Sequence, residues 1–163
     1  MVYRIKEKFW SWKGEFSITD AEGNDCFYVE GKAFSWGDKL SFQDSKGNEL
    51  AFINQELFSW KPRYQITKNG VFFAEIVKEW SWFKKEFTLD VPGPNDYTIE
   101  GSFWDHEFVF SRAGRTVANV SKKLWSWTHE YGVEIVDGED DVAILCACIV
   151  IDQVLHDEQQ HVG

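Results

Sequence analysis

The chain has 163 residues, enough for one domain with a sizeable hydrophobic core but short for two. Hydrophobic residues make up 44% and aromatic residues 17%, which excludes an intrinsically disordered chain. The formal net charge of −10 argues against nucleic acid as a partner, because nucleic-acid binding depends on clustered lysine and arginine.

The N-terminal segment MVYRIKEKFW alternates like a β-strand and lacks the apolar region of a signal peptide. Three cysteines are too few, and odd in number, for a disulfide framework, and Cys146 and Cys148 lie inside an apolar run. These features predict a reducing, cytoplasmic location. No stretch approaches the roughly 18–20 apolar residues that span a bilayer, so no transmembrane helix is predicted.

An aromatic phrase, FWSWKGEF at residues 9–16, recurs along the chain every 22 to 24 residues. A turn glycine follows each copy in sequences such as DAEGND and DSKGNE. The segments between these marks, KLSFQD and EFTLD among them, alternate as half-buried strands do. One repeat is therefore a strand, a glycine turn, a second strand and a tryptophan loop. The aligned tryptophans are Trp12, Trp36, Trp60, Trp82, Trp104 and Trp127.

These repeats predict about 12 short antiparallel strands between residues 2 and 136. An open sheet of that size exposes its edges and rarely exceeds ~10 strands, so the strands are predicted to close into a barrel. A barrel of ~12 strands is too wide to be filled by its own inward side chains. We expect the six tryptophans at the barrel rim, where a large ring covers the end of the core.

The segment EDDVAILCACIVIDQVLHDE predicts the element that fills the barrel. Glu139, Asp140 and Asp141 favour a helix N-terminus, and the apolar run that follows indicates a helix buried on every face. The helix is predicted over about 139–156 within a single domain at 1–157, with a polar tail at 158–163. Its predicted enclosed residues are Val142, Ala143, Ile144, Leu145, Cys146, Ala147, Cys148, Ile149, Val150 and Ile151.

The chain resembles the LURP-one-related family in its FSW hairpins, in EGSFWDHEF at 100–108 and in the ending from YGVEI to DQVLHD. The resemblance covers about residues 1–157. It implies the Tubby C-terminal-like fold, a closed 12-stranded barrel around a central hydrophobic helix, with distant similarity to phospholipid scramblases. For function it implies a wide range: related plant proteins are linked to pathogen defence, tubby relatives bind phosphoinositides, and scramblases act at membranes.

Three functional hypotheses follow. The first is a non-enzymatic binding or scaffold domain that acts through its outer surface or rim, with a protein or phospholipid headgroups as its partner. The second is a membrane phospholipid or phosphoinositide sensor, for which the candidate lipid-binding residues are Lys84, Lys85, Lys122 and Lys123. The third is a small metal-dependent hydrolase that uses His106 and His129, two residues after the tryptophans of their repeats, with Asp105 or Glu130.

Asp152 follows ten apolar residues on a helix that we expect to be enclosed. Because a buried carboxylate without partners is costly, three arrangements are open. The helix leaves the barrel near Asp152, a basic or backbone group meets the carboxylate, or a small polar ligand binds at the barrel mouth. The sequence contains no nucleophile elbow, phosphate-binding glycine loop or dinucleotide fingerprint. No catalytic residue and no cofactor is therefore predicted.

Overall fold

Twelve β-strands and one α-helix make up the computed structural model of this chain, which describes residues 1–7, 15–32, 37–79, 86–122 and 130–162, with helix side chains through 159. The helix α1 spans Asp141–Val162. The strands are β1 Val2–Glu7, β2 Phe16–Asp20, β3 Asp25–Gly31, β4 Lys39–Asp44, β5 Glu49–Gln55, β6 Arg63–Lys68, β7 Val71–Glu79, β8 Glu86–Asp90, β9 Tyr97–Ser102, β10 Glu107–Arg112, β11 Arg115–Ser121 and β12 Glu130–Ile135.

The strands form one closed antiparallel barrel. Each strand pairs with the strands before and after it in the chain, and β1 pairs with β12 to complete the circle. The closing pair runs from Val2 opposite Glu134 to Lys6 opposite Glu130. Closure leaves no strand edge for another chain to extend. The predicted fold class, a closed barrel of about 12 strands with a C-terminal helix, is confirmed.

The hairpins repeat in structure as they do in sequence. Four of them, β2–β3, β4–β5, β6–β7 and β10–β11, carry a register shift near their glycine turn. Such bulges bend a strand and increase its twist, which helps a wide sheet to close. The glycine of every predicted turn has a positive φ, and these residues are Gly23, Gly47, Gly70, Gly93, Gly114 and Gly138.

The barrel has two distinct ends. The glycine turns and the start of α1 lie at one end, which we call the glycine end. The opposite end, which we call the tryptophan end, includes the β5–β6 loop at 56–62 and the β9–β10 loop at 103–106.

Helix α1 fills the barrel interior. Every residue from 143 to 151 is completely inaccessible to solvent, and Val142 is half-buried. Asp140 caps the helix, because its Oδ1 accepts a hydrogen bond of 3.0 Å from the backbone N–H of Ala143. The prediction of an enclosed helix is therefore confirmed. Burial raises the pKa of the Cys146 and Cys148 thiols, so both behave as small apolar core residues.

Tyrosines fix the start of the helix at the glycine end. The Tyr3 hydroxyl donates to Asp141 Oδ2 at 2.5 Å, and the Tyr97 hydroxyl donates to Glu139 Oε2 at 2.7 Å. Arg112 completes the second pair through a 3.0 Å ion pair with Glu139 Oε1. The acids at 139–141 therefore cap the helix and also anchor it to the wall.

Helix α1 is longer than predicted: it ends at Val162 and includes most of the predicted polar tail at 158–163. Its 22 residues span about 33 Å, whereas a six-residue strand such as β6 spans about 20 Å. The C-terminal turns therefore extend past the tryptophan end, where the helix needs no apolar surface and Glu and Gln are good helix formers. No helix in the described part of the chain has the length and apolar character to cross a membrane.

Candidate functional site

A cluster of three side chains lies at the tryptophan end, where α1 leaves the barrel. Asp152 on α1 accepts a hydrogen bond from the Tyr131 hydroxyl, with 2.5 Å between Tyr131 Oη and Asp152 Oδ2. His106 Nε2 lies 2.9 Å from the other carboxylate oxygen, Oδ1. The Asp152 side chain is only 10% exposed, so these two groups replace the water that a carboxylate would otherwise bind. The Asp152 carboxylate thus has one hydrogen-bonding partner from β12 and one from the β9–β10 loop.

Tyr131 is held as a neutral hydrogen-bond donor. Burial raises the pKa of the Tyr131 phenol well above its ordinary value, and the negative charge of Asp152 raises it further. Tyr131 comes from β12 and packs its ring against His106, with 4.4 Å between the ring centroids. The phenol therefore both donates to the carboxylate and supports the imidazole.

His106 is held in an uncommon backbone conformation. Its φ is 51°, in the left-handed region that histidine adopts more often than most residues but still rarely. Its backbone N–H donates to the Phe103 carbonyl at 3.1 Å, which closes the β9–β10 turn. Ring nitrogen Nδ1 is buried and has no partner among the described residues. The ring is therefore positioned by Asp152 and Tyr131 at the cost of some backbone strain and one unsatisfied nitrogen.

Beside this cluster lies a cavity of about 260 Å³ at the barrel mouth. Apolar surface comes from Trp104 of the β9–β10 loop and Leu155 of α1, and Tyr131 adds its ring. Charged side chains on the lining include Glu7, at the end of β1, and Lys122, just after β11. The cavity is close to the smaller end of the range for small-molecule sites in proteins.

The two acids predicted as partners of the histidine pair have other contacts in the structure. Asp105, proposed as a partner of His106, accepts instead from the Ser102 hydroxyl at 2.5 Å. Glu130 forms ion pairs with Arg4 and with Lys6 at 3.5 Å each. His129 lies outside the described residues, and within those residues no group of three or more ligating side chains could hold a metal ion.

The predicted lipid-binding lysines are only partly described. Lys122 is half-buried and lines the mouth cavity. Lys84, Lys85 and Lys123 lie outside the described residues, so their convergence on one side stays a prediction.

The predicted rim tryptophans have two different surroundings where they are described. Trp104 is 40% exposed and lines the cavity, as a ring at the mouth should. Trp60 is 98% exposed, so the prediction that its ring covers the core is wrong. The Trp60 ring is in contact with solvent instead of the core. The remaining rim tryptophans, which lie outside the described residues, are Trp12, Trp36, Trp82 and Trp127.

Comparison with known proteins assigns the family. A family model described as LURP-one-related matches residues 1–152. The chain belongs to the LURP-one-related family. It is 36% identical over 155 residues to the uncharacterized protein YxjI of Bacillus subtilis (strain 168), a match that covers 95% of this chain and 94% of that protein.

The LURP-one-related chain is also similar in fold to a solved plant structure. An X-ray structure of a protein from Arabidopsis thaliana superposes with a TM-score of 0.69 and 16% identity, covering 94% of this chain and 91% of that one. At that identity the likeness shows the fold alone.

Sequence reasoning missed two features of this LURP-one-related domain. The hydrogen bond from Tyr131 to Asp152 was not predicted, because a contact between β12 and α1 depends on their relative depth in the barrel. Phe58, two residues before Trp60, was not singled out, yet it is 99% exposed. Its surroundings in sequence match the other FSW phrases, so no local signal distinguishes it.

Proposed function

We propose that this protein is a non-enzymatic binding domain whose contact surface is the tryptophan end of the barrel. The observation that carries the proposal is the exposure of Phe58 at 99% and Trp60 at 98% on one loop. Large apolar rings that stand free in water are costly unless a partner covers them for part of the time. The interior is already filled by α1, which leaves the outer surface and the barrel mouth as places for binding.

The loop that presents these rings has a fixed base. The Glu56 backbone N–H donates to the Arg63 carbonyl at 2.8 Å, where β5 and β6 meet the loop. Leu57 packs against Gly37 so closely that a Cβ added to the glycine would lie 2.7 Å from Leu57 Cδ2. The two aromatic rings therefore project from an anchored support.

The interfacial region of a phospholipid bilayer is the partner that fits this loop best. Tryptophan rings are favoured at that depth because they combine an apolar body with one N–H donor. Two cations of this loop and its base are paired with acids, Lys61 with Glu79 and Arg63 with Glu75, at 2.6 Å each. We therefore expect this loop to attach by ring insertion more than by attraction of these two cations to anionic lipids. We also propose a cytoplasmic location, and the three free cysteines support it because free thiols are usual in a reducing compartment.

Vesicle flotation tests the proposal. The wild-type protein is compared with a Phe58→Ser/Trp60→Ser variant on neutral and on phosphoinositide-containing vesicles, at low and physiological salt. Partial insertion of each ring is worth about 1.4 kcal/mol, so losing both should weaken binding about 100-fold. A matched control is Val71→Ser/Phe72→Ser, which removes exposed apolar residues from the glycine end and should leave binding unchanged.

The vesicle composition separates the alternatives. Binding to neutral vesicles that tolerates salt and needs Phe58 and Trp60 supports ring insertion. Binding that is sensitive to salt and occurs only on anionic vesicles would instead assign the contact to the candidate lipid-binding residues Lys84, Lys85, Lys122 and Lys123. If the protein binds no vesicle, the bilayer is excluded and the exposed loop must meet a protein.

A further inference from the structure

The lining of the mouth cavity includes two carboxylates, those of Asp152 and Glu7. Asp152 carries its charge next to Tyr131, and the charge of Glu7 also acts on the Tyr131 phenol. Because Asp152 already accepts two hydrogen bonds, its carboxylate is fixed in place. Two carboxylates on one lining favour a cationic group near them.

The same lining includes the ammonium group of Lys122. Lys122 is half-buried, and the part of the chain that the structure describes supplies it with no hydrogen bond or ion pair. The His156 imidazole and the Gln159 amide, both on α1, add hydrogen-bonding groups to the lining. A partly buried ammonium next to a cavity favours an anionic group.

An apolar surface completes the lining. Trp104 is 40% exposed and Leu155 is 6% exposed, and the Tyr131 ring adds to them. The lining therefore has carboxylates, an ammonium group and an apolar surface. It complements a molecule that has a cationic group, an anionic group and an apolar part.

We propose that this cavity binds a small amino-acid-like zwitterion, whose carboxylate faces Lys122, whose ammonium faces Glu7 and Asp152, and whose apolar side chain contacts Trp104 and Leu155. The cavity of about 260 Å³ restricts the ligand to a single small molecule. This site is independent of the proposed membrane contact, because Phe58 and Trp60 are not among its lining residues.

Binding of L-leucine and its single-charge analogues, measured by titration calorimetry, tests the proposal. L-leucinamide keeps the ammonium but lacks the carboxylate, whereas N-acetyl-L-leucine keeps the carboxylate but lacks the ammonium. L-phenylalanine tests a larger apolar part. We expect at least one of the two amino acids to bind, and L-leucine to bind about tenfold more tightly than either analogue, because each loses one charged contact.

Two substitutions locate the charged contacts. Lys122→Met should weaken L-leucine about tenfold and leave L-leucinamide unchanged, whereas Glu7→Gln should weaken both. The matched control, Lys46→Met, changes an exposed lysine in the β4–β5 turn at the glycine end and should alter nothing. Melting temperatures check that each variant is folded, and shifts of the His106 and His156 ring signals in NMR spectra place the ligand.

Three results would overturn the inference. One is the absence of binding by both amino acids. Another is equal affinity for L-leucine and the two analogues, because the charges would then contribute nothing. The third is the same response in Lys122→Met and Lys46→Met, which would place the ligand elsewhere.

Discussion

Replacing Tyr131 with phenylalanine removes one oxygen from the contact that holds α1 at the tryptophan end. The ring stays, so packing on His106 is retained, and Asp152 loses one of its two donors. The carboxylate is 10% exposed, which limits how well water can replace the lost hydroxyl. The substitution therefore tests whether a buried polar contact or the apolar core alone holds this part of the helix.

The expected loss of stability follows from the charge of the acceptor. A hydrogen bond to a charged group contributes about 1.5–3 kcal/mol, and the contact of 2.5 Å is short, so we expect a loss of about 2 kcal/mol. For a domain of this size each kcal/mol lowers the melting temperature by roughly 2–4 °C, which gives a decrease of about 4–8 °C.

Urea and thermal unfolding measure the effect, and Tyr64→Phe is the matched control. Tyr64 occupies the same place in its repeat and donates to Asp38 Oδ2 at 3.0 Å. That longer bond should contribute less, about 1.5 kcal/mol at the lower end of the range for a charged acceptor. An Asp152→Asn background completes a double-mutant cycle, in which removal of the Tyr131 hydroxyl should cost less because the acceptor has lost its charge.

Equal losses for Tyr131→Phe and Tyr64→Phe would refute this reasoning, because the short contact to Asp152 would then have no special value. An unchanged melting temperature for Tyr131→Phe would show that water satisfies the carboxylate. The double-mutant cycle is a separate test. The reasoning is also refuted if removal of the Tyr131 hydroxyl costs as much stability in the Asp152→Asn background as in the wild type.

Two further predictions concern the enclosed helix. Ala147→Trp should overpack the barrel, because Ala147 is completely buried, and we expect the variant to be insoluble or unfolded. A soluble variant with an unchanged melting temperature would mean that the helix is not enclosed. Stability should also fall as the pH rises from 10 to about 12, because burial, with the hydrogen bond to Glu139 next, raises the pKa of Tyr97 to about 12. The unfolded chain ionises this phenol near pH 10, so its contribution is complete below pH 10 and is lost as the pH passes through 12. Urea unfolding across this range, compared with Tyr97→Phe, should show a shallower decline in the variant, and parallel curves would exclude Tyr97 as a cause.

The repeat made most of the fold predictable. Tryptophan and glycine marks at a fixed spacing define the hairpins, and the apolar run at 142–151 can only be buried, so the strand number and the central helix follow from the sequence. The end of the helix did not follow, because its last turns extend past the barrel and so carry no apolar pattern.

The candidate site was less predictable, because its residues come together only when α1 lies at a particular depth inside the barrel. Asp152 was recognised as an acid in need of a partner, but its donors come from the β9–β10 loop and from β12. Which strand faces a given helix residue depends on the rotation of α1 within the barrel. Alternation along a strand gives a side chain its inward or outward direction but not its height along the helix.

The order of elements along the chain has a consequence for biosynthesis. All twelve strands precede the helix, so the ribosome produces the whole wall before it produces the apolar segment that the wall encloses. Until then the inward side chains, Ile5 and Phe16 among them, have no interior to pack against. The pairing of β1 with β12 also joins segments that are more than a hundred residues apart. The nascent chain therefore exposes strand edges and apolar faces throughout translation, and a premature stop before α1 would yield a product for chaperones and proteases to remove.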